Sequence, residues 1–226
     1  MRLPSTVEDH LRTIHRLESG PGRAATVAGI ARELGLSTSV VSETVGRLRR
    51  DGSVAPRDGG GVRLTPVGRE RALRVVRAHR LVETFLHREL GLELHELHAE
   101  ADRLEHAVSD DVADRLDALL GHPEHDPHGD PIPRPGRGHE ETWPTALRDA
   151  PDGSTFLVER VVDREDAALE RLAAVGILPR TRVRVGQHDP FGGGLELELE
   201  GRALRLAPGL VRAVHGSVVA EPEPAP

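Results

Sequence analysis

Residues 26–52, TVAGIARELGLSTSVVSETVGRLRRDG, decide the fold. Val27, Ile30, Ala31 and Leu34 recur at helical spacing, and Gly35 ends that run. The Ser/Thr cluster at 37–39 opens a second run that carries Val41, Val45 and Leu48 toward a core. Two short helices about a glycine turn are the layout of a helix-turn-helix. Upstream, STVEDHLRTIHRLE (5–18) aligns Val7, Leu11, Ile14 and Leu17 on one helical stripe, with Ser5 or Thr6 as its cap. Downstream, SVAPRDGGGVRLTPVG reads as two short strands around a glycine-rich tip, with Pro66 opening the next helix. The wing makes the whole unit a winged helix.

In this motif the first positions of the second helix are the usual base contacts. Here they are Ser37, Thr38, Ser39, Ser42, Glu43, Thr44 and Arg47. Arg47, Arg49, Arg50, Arg57 and Arg63 are candidates for phosphates, which add affinity without reading sequence. Few of these side chains make bidentate base pairs, so readout is expected partly through thymine methyls and DNA shape.

The helix from Pro66 runs through RERALRVVRAHRLVETFLHREL to Gly91, and Leu92–Ala107 forms the next. That second helix contains HAEADRLEHAVSDD (98–111), where spacings of three and four put Asp102, Glu105 and His106 on one face, with His98 a turn earlier. Two carboxylates and an imidazole converging on one side are half of a divalent-metal site. His79 and Glu83, four apart on the preceding helix, are a second set with a plain ion pair as the alternative. His87, His95, His122, His125, His128 and His188 read as capped or solvated. Ser109 caps DDVADRLDALLG, and the apolar positions Val108, Val112, Leu116, Leu119 and Leu120 can bury a dimer seam. Residues 121–150 read as a connecting segment with little regular core. Beyond Thr155, FLVERVV, TRVRVGQ, LELELE, RALRLAP and VRAVHGSVV read as strands, with REDAALERLAAVG as a short helix, which suggests a small barrel.

Composition narrows the function. The chain has 226 residues and no cysteine, so disulfides and thiolate metal sites are excluded. No apolar run approaches the roughly 20 residues that span a bilayer, and MRLPSTVEDH is no signal peptide, so a cytoplasmic protein with no membrane partner is expected. Residues 1–80 hold 15 Arg against 8 Asp and Glu, while the remainder holds 15 Arg against 29, so net charge is +7 in one part and -14 in the other. A basic reader and an acidic remainder suit phosphates and cations respectively. A metal-binding helix beside a DNA-reading unit implies a metal-responsive regulator of transcription.

These motifs together resemble the diphtheria-toxin-repressor family of metal-dependent regulators. VEDHLRTIHRLE is similar to the family's first helix. HRLVETFL, ELHAEADRLEHAVSDDV and HGDPIP are similar to its metal-binding and dimerisation domain, and the region after 155, with its GILP turn, to its SH3-like domain. The resemblance implies a primary site of Asp9, Asp102, Glu105 and His106. It implies an ancillary site of His79, Glu83 and His98, with Glu165 reaching in from the third domain, and Arg80 holding an anion. Ala168 stands where the iron branch has a further amide ligand, with Asp166 nearby as a substitute. The iron branch also uses methionine and cysteine where this chain has Asp9 and Asp102, and that substitution resembles the manganese-sensing branch. Hard oxygen donors suit Mn(II), while Zn(II), Co(II) or Ni(II) are expected to substitute in vitro.

The expected fold class is mainly α with a small β domain. Residues 1–70 form the winged helix-turn-helix, 71–138 the helical metal-binding and dimerisation domain, 139–154 a linker, 155–220 the SH3-like β-barrel and 221–226 a disordered tail. The expected function is a homodimeric, Mn(II)-activated repressor that binds double-stranded operator DNA and controls metal-homeostasis genes. An Fe(II)-dependent regulator of the same family is the alternative. A metalloenzyme is the more distant rival, with no nucleophile or base motif near the ligands to support it, and a metal-independent DNA-binding scaffold is another.

Overall fold

The computed structural model describes residues 4–20, 24–136, 143–162 and 166–220. The chain divides into two compact units, one of Met1–Val82, Ala101–Pro123 and Ile132–Thr142, the other of Glu83–Glu100, Glu124–Pro131 and Trp143–Pro226.

In the first unit, α1 (Ser5–Ser19), α2 (Val27–Leu34) and α3 (Thr38–Arg50) precede the hairpin of β1 (Val54–Pro56) and β2 (Val62–Leu64). Leu11 and Ile14 of α1, Ile30 of α2, Val41 and Leu48 of α3, and Val54 and Leu64 of the hairpin close one core. Between α2 and α3, Gly35 adopts φ 65°, a left-handed conformation that costs glycine little, and its N–H returns to the Ala31 carbonyl. Ser37 caps α3 by accepting the Val40 amide, as its position suggests. The start of α1 differs from expectation. Pro4 is the N-cap and no side chain caps the helix, because the Val7 and Glu8 amides reach the Pro4 carbonyl instead.

Helix α4 (Pro66–Leu90) leads to α5 (Leu94–Leu104), a 3-10 turn over Glu105–Ala107, and α6 (Asp110–Leu119). A single helix over 92–107 was expected, and the break falls on two proposed ligands. Ser109 caps α6 through the Val112 amide.

In the second unit, β3 (Thr145–Ala146), β4 (Thr155–Val161), α7 (Asp166–Ala174), β5 (Arg182–His188), β6 (Leu195–Leu199), β7 (Arg202–Leu206), α8 (Pro208–Ala213) and β8 (Val214–Val219) follow in the chain. The strands make one sheet in the order β3-β8-β4-β5-β6-β7, antiparallel throughout. LELELE alternates as its period predicts, with Leu195 and Leu197 buried and Glu196 and Glu198 exposed. Phe156, Val158, Val183, Leu169 and Leu172 fill the core beside them. VRAVHGSVV is split, since its first residues finish α8, where Pro208 is ready-made for a helix start.

Residues 121–136 are more ordered than their composition suggests. Asp126 Oδ1 accepts the amides of His128 and Asp130 at 2.9 Å each, forming an Asx-type turn. The Val161 amide donates to the His128 carbonyl, and Arg160 pairs with Asp130. Gly129, at φ 91°, has no room for a Cβ, which would lie 1.9 Å from the Glu159 carbonyl oxygen. His128 is therefore fully buried and not solvated as first read, with Nε2 donating to the Leu94 carbonyl at 3.1 Å. Nearby, Arg160 stacks 3.8 Å from the Trp143 ring centre, and His215 meets the same ring edge-on. No helix among the described residues is long and apolar enough to cross a membrane.

Candidate metal centre

Glu105 is the hub of the first unit's polar cluster. Its side chain is fully shielded from solvent, and its two oxygens face different neighbours. Oε1 lies 3.5 Å from His106 Nε2, which is also 3.0 Å from Asp9 Oδ1. Oε2 lies 2.9 Å from Arg12 Nη1 and 2.6 Å from His79 Nδ1. Asp9 and Arg12 come from α1, one turn apart, His79 from α4, Asp102 from α5, and Glu105 and His106 from the 3-10 turn.

The orientation of His106 is set by a residue that the sequence reading missed. Nδ1 lies 2.7 Å from the Glu8 carboxylate. A carboxylate only accepts, so Nδ1 donates there, and in the neutral ring the Nε2 lone pair points at Asp9 and Glu105. Three acceptor atoms on Asp9, Glu105 and His106 then converge, within 4.8 Å of one another. Acceptors that converge in this way can hold a cation between them. Carboxylate and imidazole donors fit a divalent first-row ion, and the donor set holds no sulfur.

Asp102 does not turn to His106 as the helical spacing suggested. Its Oδ1 is 2.8 Å from Arg12 Nη1 and 3.4 Å from His79 Nδ1. The cause is the Arg12 guanidinium, whose charge attracts Asp102 and Glu105 Oε2 together, while the 3-10 turn carries His106 toward α1. Burial alone would lower the Arg12 pKa, but the charges of Glu105, Asp102 and Asp9 outweigh it and hold the pKa raised. The signal for both missed residues was available, since Glu8 and Arg12 flank Asp9 on one helix at steps of one and three.

Of the second set, Glu83 Oε1 lies 3.5 Å from His98 Nδ1, and Glu83 Oε2 lies 3.8 Å from His128 Nδ1. Glu83, Asp126 and His128 offer a further triad of ligand-type atoms within 4.8 Å, all buried. Arg80 is buried on α4. Glu165 lies outside the described residues.

On the DNA-reading side, Ser37, Thr38, Ser39, Ser42, Glu43, Arg47, Arg50 and the wing residue Arg57 are all exposed. Glu43 and Arg47 pair with each other at 2.6 Å. Val40 joins that face with 46% of its surface exposed. Thr44 leaves the face, because it is buried and its hydroxyl donates to the Val40 carbonyl.

Three family models match consecutive stretches of the chain. Residues 2–62 match the iron dependent repressor N-terminal DNA binding domain, 65–134 the iron dependent repressor metal binding and dimerisation domain, and 145–217 the FeoA domain. The iron-dependent repressor IdeR of Mycobacterium tuberculosis is 36% identical over 211 residues, covering 88% of this chain and 90% of its own. The chain belongs to the diphtheria toxin repressor family of metal-dependent regulators. The diphtheria toxin repressor of Corynebacterium diphtheriae itself is 42% identical over 131 residues, 58% of each chain. A solved manganese-dependent transcriptional repressor in complex with manganese has a TM-score of 0.88 at 36% identity, covering 94% of this chain and all of its own. As a diphtheria-toxin-repressor family member, the chain is a metal-dependent transcriptional repressor and not an enzyme.

Proposed function

We propose that this repressor is activated by Mn(II). The observation that carries the reading is the donor set at Glu105: carboxylates of Asp9 and Glu105 with the imidazole of His106, and Asp102 on the other side of Glu105, in a chain with no cysteine and Met1 as its sole methionine. Oxygen-rich sets suit Mn(II), and the manganese-dependent repressor among the structural relatives supports the choice. Fe(II) is the alternative, favoured by the relatives named for iron dependence. Zn(II), Co(II) and Ni(II) are expected to bind in vitro, following the Irving–Williams order.

When bound, the ion supplies positive charge between carboxylates that would otherwise repel one another. Asp9 holds α1, the first helix of the reading unit, against the turn that carries Glu105 and His106, and Glu8 keeps the His106 ring aimed. Fixing α1 fixes α2 and α3, which share its core. The exposed hydroxyls and arginines of α3, with Arg57 on the wing, then meet operator DNA. In this reading a homodimer sets the half-site spacing, and Val112 and Leu119 of α6, 44% and 65% exposed, are its seam. His79, Glu83, His98 and Glu165 form the ancillary set, and Arg80 holds its anion. The division into 1–70, 71–138 and 155–220 is supported by the three matched stretches. No membrane partner enters this reading, and the expected site of action is the cytoplasm.

The test is selection from a pool of random duplex DNA under anaerobic conditions, without metal and with Mn(II) or Fe(II). Mn(II) should give the tightest retention at micromolar metal. Equal retention without metal would establish a metal-independent scaffold, and retention with Fe(II) alone would establish the iron reading.

A further inference from the structure

The proposed function gives no role to Arg12, although its side chain is only 19% exposed and sits against the hub of the cluster. A terminal guanidinium nitrogen carries two hydrogens. Arg12 Nη1 lies beside three ligand-type atoms: His79 Nδ1 at 2.8 Å, Asp102 Oδ1 at 2.8 Å and Glu105 Oε2 at 2.9 Å. It can donate only to the two oxygens, because Glu105 Oε2 takes the His79 Nδ1 proton at 2.6 Å. Those three side chains offer ligand-type atoms within 4.8 Å of one another, as Asp9, Glu105 and His106 do. The two triads share Glu105, one through each carboxylate oxygen. In the second triad the cation is part of the chain.

We propose that Arg12 fills a second cation position bridged by Glu105, and that it thereby limits this cluster to a single divalent ion. The inference rests on the reading of Asp9, Glu105 and His106 as a metal site. Chemistry favours arginine for such a lock. Guanidinium stays protonated throughout the accessible pH range, so the position is never vacated by titration, and its fixed fork suits several acceptors at once. Without that charge, Asp102 and Glu105 Oε2 lose the guanidinium that lies within 2.9 Å of both, beside His79. A second divalent ion of higher coordination number would take all three atoms as ligands, His79 Nδ1 giving up its proton, where Arg12 Nη1 donates only to the two oxygens.

The experiment is Mn(II) titration of the full-length protein, with low-temperature electron paramagnetic resonance on the loaded samples. Wild type should give the spectrum of magnetically isolated ions. Arg12→Gln should bind one more Mn(II) per chain and show an exchange-coupled pair, since two ions bridged by one carboxylate interact. Arg12→Lys, which keeps the charge, should match wild type in stoichiometry. Glu105→Gln in the Arg12→Gln background should abolish the coupling. An unchanged stoichiometry in folded Arg12→Gln overturns the inference while leaving the metal reading intact. A coupled pair in wild type overturns it as well, and needs no variant to fold. If neither wild type nor Arg12→Gln binds Mn(II), the metal reading and this inference fall together.

Discussion

Asp9, Glu105 and His106 in one unit, and Glu83, Asp126 and His128 in the other, are triads of the same residue types. Their surroundings differ. His106 and Asp9 keep 22% and 34% of their side-chain surface exposed, and a carboxylate holds the far nitrogen of the ring. His128 is fully buried, its Nε2 engaged by a backbone carbonyl, while Asp126 Oδ1 is taken up by two backbone amides. The first triad aims its acceptors at one another from α1 and the 3-10 turn, with Asp9 and His106 within reach of solvent. The second closes a turn before it does anything else. Composition is shared, so the second bond made by each polar atom is what separates the two.

The largest expected effect breaks the first triad. Glu105→Ala or His106→Ala should weaken Mn(II) binding by about 100-fold or more, beyond what loss of a supporting partner costs. Calorimetric titration reads it, and wild-type affinity in either variant would remove the contrast. Glu8→Gln keeps an acceptor but loses its charge, and should cost about 10-fold in affinity. If affinity holds, the ring is oriented by something other than Glu8.

The second triad should respond in stability and not in metal affinity at Glu105. Asp126→Ala leaves two amides without their acceptor, at a cost of about 1–3 kcal/mol in urea unfolding. A variant of unchanged stability would show that the turn holds without its side chain.

These contrasts mark what was legible in the sequence. The reading helix, the wing and the LELELE strand follow from local rules: period, caps and glycine turns. Asp102, Glu105 and His106 were visible because they share one short segment. The partners of that segment were not, since which α1 side chain meets which oxygen depends on packing across more than 90 residues of chain. Periodicity also cannot show that the helix tightens at Glu105, which sends Asp102 and His106 to different neighbours. HGDPIP has no period at all, so the burial of His128 follows only from the Asx turn and the missing Cβ at Gly129.

The smallest expected effect concerns pH. His215 has its pKa lowered, first by burial and then by the charge of Arg160. The unfolded chain therefore takes up the proton first as pH falls. Stability of the second unit should decline from about pH 6.5 downward until the folded-state pKa is passed. His215→Gln should flatten that part of the profile, measured by urea unfolding at several pH values. A profile of unchanged slope would place the acid sensitivity elsewhere.

Trp143, held between Arg160 and His215, is the sole tryptophan in a chain without tyrosine. Its emission is an optical channel confined to the second unit. Light from that ring reports the surroundings of Arg160 and His215. A change in emission when Mn(II) is added to the first unit's triad would therefore measure communication between the units, and a silent titration with full metal loading would show that the ring is a bystander.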